Sequence, residues 1–413
     1  MRGFSGKRCW QLGFALCAIM LLGACEEKSP AQTRSEQLAS SNNQDVVLGL
    51  AWPLKSAKGT LYNGAQLALE EINSGSGVLQ GKKLRMQAKD DESSLIRGRL
   101  AAQEFANDPQ ISAVIGHLNT YIAQPAAQIY ERAGIVMLTP GASGQKITEG
   151  DSRLVFRSLP GNRDQGRQIG DYAQVQGYRN VLIYYIKNDY GVDLANFFEQ
   201  RANELGLHVL DRRSYNKEAD NHRAVFNDWA TFLKFDAIFF AGSLPEGPQI
   251  IQEMRRAGIK APIFAGVGLD SPELVKLGGR ELERTVVFTL FDPDSLRPEV
   301  QSFVERYRKR FGVKPDSHAA QGYDAVRLLA HAINQSGSRD PQRIAHALRS
   351  TRNWQGVTGP HSFSEKGDMV GKRLFLSEVR DGAFVFESRA KDIGRAQALS
   401  PRRDDSGSEN SPL

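Results

Sequence analysis

The chain is almost without cysteine: Cys9, Cys17 and Cys25 are the three it has in 413 residues, and all fall in the first 25 positions. The body beyond them therefore has no disulfide to staple it and no thiol for nucleophilic or redox chemistry. It must be held by an ordinary hydrophobic core. After residue 24 there is no run long and apolar enough to span a bilayer as a helix. Charge is not of one sign: 53 Lys and Arg stand against 47 Asp and Glu, a formal net of +6. The basic residues are scattered and form no stripe interleaved with aromatics, which argues against a nucleic-acid partner.

Signatures of catalysis are missing too. The seven histidines show no paired metal-ligand spacing, so no metal site is expected. Gly141-Ala142-Ser143-Gly144 lacks the spacing of a nucleophile elbow. Gly266-Val267-Gly268-Leu269-Asp270-Ser271 lacks the third glycine of a dinucleotide loop. No cofactor and no enzymatic activity are expected. The acidic run Asp90-Asp91-Glu92 is read as solvated, and His117 as a structural hydrogen-bonding group.

What is present begins with a leader. Arg2, Lys7 and Arg8 precede a largely apolar run from Cys9 to Ala24, followed by Glu26, Glu27 and Lys28. The run is short for a membrane span and right for a signal peptide. Its end, Leu22-Gly23-Ala24-Cys25, resembles the bacterial lipoprotein cleavage box, which makes 1–25 a signal peptide and Cys25 a lipidated N-terminus. Residues 26–44, rich in Ser, Asn and Gln, are expected to be a flexible tether, and 391–413 a disordered tail.

Between these ends, apolar strands alternate with amphipathic helices. Val46–Ala51, Leu84–Lys89, Ala113–Gly116 and Ile135–Leu138 read as strands, Tyr62–Ile72 and Ile96–Asn107 as helices. A second cycle starts at Val181–Ile186 and runs through Ala237–Ala241 to Ile263–Ala265. Such alternation predicts βαβ units and parallel sheets, and continuous apolar strands predict sheets covered on both faces. The length suits two domains. At the carboxyl ends of two strands lie short polar loops, with Asn119 and Thr120 in one and Gly141 and Ser143 in the other. Open α/β sheets bind ligands there. Free N–H groups at a helix start, flanked by hydroxyls, suit a carboxylate.

Several segments carry a family resemblance in their order and spacing. They include Tyr62-Asn63-Gly64-Ala65, Gly116-His117-Leu118, Gln124-Pro125-Ala126, Thr139-Pro140-Gly141-Ala142-Ser143 and Asp189-Tyr190-Gly191. Asp270-Ser271-Pro272-Glu273-Leu274, Gly322-Tyr323-Asp324-Ala325-Val326 and Val357-Thr358-Gly359-Pro360 continue the match. Residues 45–388 resemble the periplasmic branched-chain amino-acid-binding proteins, the Leu/Ile/Val-binding solute-binding proteins of ABC transporters. The resemblance implies an α/β fold of two Rossmann-like lobes with parallel sheets, joined by three hinge crossovers (the type I periplasmic binding fold). Lobe one would comprise 45–160 plus 290–356, and lobe two 161–289 plus 357–390.

The resemblance also implies a site. Thr120 and Ser143, with the backbone of Gly141 and Ala142 and the neighbouring Asn119, would grip a carboxylate. Tyr190 would close over the ligand from lobe two, and Tyr323 would approach from the returning helix. Trp52 would either cover the ligand or plug its loop. Read without the resemblance, Thr120 is only a helix cap. Where the family commonly places an acid for the ligand's ammonium, this chain has Val267. Asp270, Glu246 or Asp189 must then substitute, or the ligand has no α-ammonium.

The function implied is that of a periplasmic, lipid-anchored solute-binding protein, monomeric, passing a small carboxylate-bearing ligand to an ABC permease of the inner membrane. The alternatives are a ligand-sensing lipoprotein serving a membrane receptor, and an adaptor lipoprotein of cell-wall synthesis that binds no metabolite.

Overall fold

A computed structural model describes residues 28–41, 44–150, 152–217 and 222–386. The leader with Cys25, and the tail from 391, lie outside the described residues. The first sheet has the order β2-β1-β3-β4-β5, from strands β1 (Val46–Trp52), β2 (Leu84–Asp90), β3 (Ile111–Gly116), β4 (Val136–Thr139) and β5 (Val155–Arg157). Every pairing in it is parallel. All seven residues of β1 are buried. Val46, Leu48, Leu50 and Trp52 pack into one core layer and Val47 and Ala51 into the opposite one, the two-residue period of a strand covered on both sides.

Helix α1 (Pro30–Ser40) precedes this sheet. Helices α2 (Thr60–Ser74), α3 (Leu95–Asn107), α4 (Thr120–Ala133) and the short α5 (Lys146–Glu149) accompany its strands. The second sheet follows with the order β14-β13-β10-β9-β8-β6-β7. Its parallel part is β6 (Asn180–Ile186), β7 (His208–Tyr215), β8 (Ala237–Ala241), β9 (Ile263–Ala265) and β10 (Thr285–Thr289). Its helices are α6 (Asn162–Val175), α7 (Asp189–Glu204), α8 (His222–Phe232), α9 (Gly247–Arg256) and α10 (Glu273–Gly278).

The chain then returns. Helices α11 (Pro298–Phe311), α12 (Ser317–Ser336) and α13 (Pro341–Ser350) bury Phe303, Ala319, Leu329 and Ile344 in the core of the first sheet. Helices α2 and α12 approach closely. A β-carbon on Gly64 would lie 1.8 Å from the Ala319 carbonyl oxygen, and one on Gly322 would lie 2.1 Å from that of Leu61. Only glycine permits backbones to pack at that distance. A ribbon of β11 (Trp354–Gly356) and β12 (Gly359–His361) comes next. Strands β13 (Phe375–Arg380) and β14 (Ala383–Phe386) finally join the second sheet antiparallel. The molecule is thus two α/β lobes linked by three crossovers.

Two expectations need correction. Residues 30–40, expected within a loose tether, form α1. Ser29 and Gln32 close a capping box at its start and Pro30 occupies its first turn. Arg34 is buried and donates to the carbonyls of Ala106, Asp108, Ile111 and Ala133, at the carboxyl ends of α3 and α4 and the start of β3. Those carbonyls carry the negative end of two helix dipoles, so a lone cation can be buried among them. The second correction concerns 357–371, assigned to lobe two. Val357, Phe363 and Met369 are buried in the core of lobe one. Asp324 of α12 pins the ribbon there, accepting from Val357 N, Thr358 N and Thr358 Oγ1 at 2.8, 2.8 and 2.6 Å.

Candidate ligand cleft

The carboxyl ends of both sheets face each other across a cleft. At its base is a cavity of about 60 Å³, which shares walls with an outer cavity of about 660 Å³ lined by the loops around Lys55, Asn216 and Glu246. Each loop of the inner cavity follows a parallel strand, the location favoured for ligands in this kind of sheet.

The lobe-one wall is built on β3 and β4. Asn119 is the N-cap of α4, yet its side chain makes no capping bond. Its buried Oδ1 has no partner among the described residues. Thr120, the first helical residue and so not the cap, accepts the backbone N–H of Gly144 on Oγ1 at 3.1 Å. That bond ties the loop after β3 to the loop after β4 and leaves the hydroxyl proton free to point at the cleft. Ser143 stands beside it, its side chain on the cavity wall. Arg157, at the first crossover, holds the loop from behind. It donates to the carbonyls of Ser143 and Gly144 at 2.9 and 2.7 Å and pairs through two bonds with Asp368. With the loop's carbonyls turned inward to Arg157, the uncapped start of α4 and the two hydroxyls make an anion-accepting corner.

The lobe-two wall carries Tyr190, Ser243, Val267, Gly268 and Asp270. Tyr190 Oη accepts the Gly268 N–H at 3.0 Å, and burial pushes its phenol above the ordinary range. A β-carbon on Gly268 would come within 2.2 Å of the Gly242 carbonyl oxygen, so only glycine fits. Asp270 is buried and accepts the Leu290 N–H at 3.2 Å. Burial raises its carboxyl to about 6, opposed by the Ser317 and Thr289 hydroxyls and the Leu290 N–H. It does not cap α10.

Several residues of this cavity went unread in the sequence, among them Tyr121, Leu159, Asn188, Leu290 and three polar groups, Lys58, His318 and Gln321. Lys58 reaches from the loop after β1 and donates Nζ to the Gly268 carbonyl at 3.2 Å, across the cleft. Burial pulls its ammonium down to about 8, although Asp270, Glu246 and Glu273 hold it up. His318 and Gln321 line the cavity from α12. Burial, with Lys58 nearby, drives the His318 imidazole well below its usual value, so it is neutral. Its Nδ1 is buried without a partner among the described residues. Lys58 sits in a polar segment that reads as solvated surface. The rule that marked the other loops, position after a parallel strand, would have marked it too.

The structure does not bring every expected residue to the cleft. Tyr323 is buried beside Phe303, and its hydroxyl binds Glu71 and Arg306 at 2.7 and 2.9 Å, remote from the cavity. It is two positions along α12 from Gln321, about 200° round a helix, and therefore faces elsewhere. Trp52 plugs its loop: it is fully buried behind the wall and donates Nε1 to the Lys58 carbonyl at 2.8 Å. Ala142 is buried in the core behind the cavity. The N–H groups of Gly141 and Ala142 are spent on Thr139 Oγ1 at 3.3 and 3.0 Å, so Gly141 lends surface but no donor. Asp189 opens α7 and is not on the inner wall. The acidic run is not solvated throughout: Asp91 is fully buried and binds His117 Nδ1 at 2.8 Å, while His117 Nε2 meets Tyr130 at 3.1 Å.

A two-lobe α/β fold with a polar cavity between the lobes defines the class of type I periplasmic binding proteins. The chain belongs to the periplasmic binding protein family, whose pattern matches residues 49–383. It is 30% identical over 331 residues to the Leu/Ile/Val-binding protein homolog 1 of Brucella suis biovar 1, spanning 78% of this chain and 87% of that relative. Its fold is similar to an ABC transporter substrate-binding protein of Desulfitobacterium hafniense solved in complex with Leu, at 35% identity and a TM-score of 0.75 over 83% of this chain and 100% of that one. It is similar also to a leucine-binding protein of Thermotoga maritima, at 30% identity and a TM-score of 0.77 over 83% of this chain and 97% of that one. The family is one of extracytoplasmic solute-binding proteins of ABC transporters.

Proposed function

We propose that this chain is a lipoprotein, anchored through Cys25 on the periplasmic side of a membrane, that captures a small carboxylate-bearing ligand and presents it to an ABC permease. The ligand is an amino acid or a related compound. One observation carries the reading: the uncapped start of α4, with Asn119, Thr120 and Ser143, forms an anion-accepting corner in the cavity between the lobes. His318 Nδ1 supports a polar ligand, and Asn119 Oδ1, an acceptor, supports one that carries an N–H or O–H donor beside its carboxylate, since buried polar atoms without partners are costly. The Leu bound by the Desulfitobacterium relative supports the amino-acid end of the class.

A ligand held by both lobes stabilises the closed arrangement, because only there does it touch both. The test is a thermal-shift and calorimetric screen of the mature protein against amino acids, 2-oxo acids, hydroxy acids and amides. A true ligand raises the melting temperature in proportion to its affinity. Binding of a carboxylate, weakened when it is converted to its amide, is the expected result. Binding of no member of the panel would favour the adaptor reading.

A further inference from the structure

Several polar groups of the inner cavity already have duties within the protein. Tyr190 Oη accepts the Gly268 N–H, Asp270 the Leu290 N–H, and Asn188 Oδ1 the Gly191 N–H at 2.9 Å. The Ser243 hydroxyl donates to Glu246 Oε1 at 2.9 Å, and Lys58 Nζ to the Gly268 carbonyl. Thr120 and Ser143 serve the anion-accepting corner. His318 and Gln321 are left over. They stand one turn apart on α12, line the cavity, and are only 5% and 8% exposed. Among the described residues, His318 Nδ1 is buried without a partner and the Gln321 side-chain amide makes no hydrogen bond.

Buried polar groups are normally satisfied, so two that are not call for a partner that enters from outside. A neutral imidazole offers one N–H and one lone pair, and a primary amide two N–H groups and an oxygen. Their N–H groups need an acceptor. An ammonium is a donor only, and the ligand's carboxylate is engaged at the α4 corner. An aliphatic side chain has no acceptor either, and would strand both residues in a space of about 60 Å³. Hydrocarbon surface to receive such a chain is scarce: Leu118, Leu159, Val267 and Leu290 are the aliphatic residues of the lining. Resting on the carboxylate-capture reading above, we propose that His318 and Gln321 select a ligand with a polar side chain. The site takes small carboxylates that carry a second oxygen function, a hydroxyl or an amide, in preference to branched aliphatic ones of the same shape. An α-ammonium is compatible with this, since Asn119 Oδ1 is an acceptor without a partner among the described residues.

Calorimetry with pairs of similar shape tests this: threonine against valine, asparagine against leucine, and 3-hydroxybutanoate against 3-methylbutanoate, the last pair without an ammonium. In each pair that binds, the wild type should hold the polar member at least tenfold more tightly. His318→Phe keeps an aromatic ring and Gln321→Met keeps the length of the side chain. Each should narrow the preference several-fold, and the double variant should erase it. A merely structural role would weaken both members of a pair alike and leave their ratio unchanged. Melting temperatures without ligand check that the variants fold, and should they not fold, the wild-type preference decides alone. A wild type that prefers the aliphatic members or binds both alike, or a folded double variant that keeps the polar preference, overturns the inference and leaves carboxylate capture standing. A wild type that binds none of the six overturns both.

Discussion

Thr120 Oγ1 accepts the backbone N–H of Gly144 at 3.1 Å, so the loops after β3 and β4 share one hydroxyl. The same hydroxyl lines the cavity. It therefore has two duties, joining the loops by accepting and meeting a ligand by donating, and substitution separates them.

Thr120→Ala removes both duties. Loss of a donor to a charged group corresponds to about 1.5–3 kcal/mol, or roughly a ten- to hundredfold weaker complex. Loss of the loop-to-loop bond should lower stability by only about 1 kcal/mol. Thr120→Ser should recover most of the affinity. Titration of the three proteins with a ligand from the screen reads the first effect, and urea unfolding without ligand the second. Unchanged affinity in Thr120→Ala would remove this residue from the site.

Arg157 supports that corner from behind. Its side chain is fully buried, it pairs with Asp368, and it donates to two carbonyls of the Ser143 loop. Arg157→Met would leave Asp368 without its cation and the Ser143 and Gly144 carbonyls without these donors. Breaking a buried pair from one side costs about 3–5 kcal/mol. Because Asp368 is partly solvated, the lower end is expected. Denaturant midpoints should fall accordingly. A midpoint within about 0.5 kcal/mol of wild type would show that the loop holds itself.

The parallel sheets were legible in the sequence because β1, β3 and β4 are unbroken apolar runs bounded by polar loops. For the same reason Asn119, Thr120 and Ser143 could be placed at strand ends from residue order alone. Lys58 was hidden because a lysine near Lys55 and Ser56 looks solvated, and only the opposite lobe, some 210 residues on at Gly268, gives it a partner. Arg34 was hidden likewise: the carbonyls that receive it come from residues 106–133. Tyr323 was misplaced because matching a motif fixes a position along a helix, not the side that faces a neighbour.

Helix α1 offers the third test. Its attachment rests on Arg34 among four carbonyls, on buried Leu38, and on Ser35 Oγ, which donates to Asp340 at 2.7 Å. A free helix of eleven residues is marginal in water, so it should persist only while docked. Hydrogen exchange should show protected amides in 32–40 of the wild type and fast exchange in Arg34→Ala, with the β1 and β3 amides still protected. Fast exchange in the wild type would restore the loose tether expected from composition.

Asp270 gives the protein a pH dependence of definite sign. Burial raises its carboxyl from 3.8 to about 6. Between those values the folded protein holds a proton that the unfolded chain has released, so stability falls as pH rises through the window. Below it both states are protonated and the cost is absent; above it the cost is complete. A displacement of this size corresponds to about 3 kcal/mol. Lys58 is displaced the other way, down to about 8, and its window lies above this one, between there and its ordinary value of 10.5. Below pH 7 the two do not overlap. Urea unfolding of ligand-free wild type and Asp270→Asn, near pH 4 and near pH 7, isolates the carboxyl, since other titrating groups largely cancel in the difference. The wild type should lose about 2–3 kcal/mol relative to Asp270→Asn between the two conditions. Parallel stability curves for the two proteins would mean that the Leu290 N–H and the Ser317 and Thr289 hydroxyls fully offset burial, and that Asp270 stands in the cavity as an ordinary ionised carboxylate.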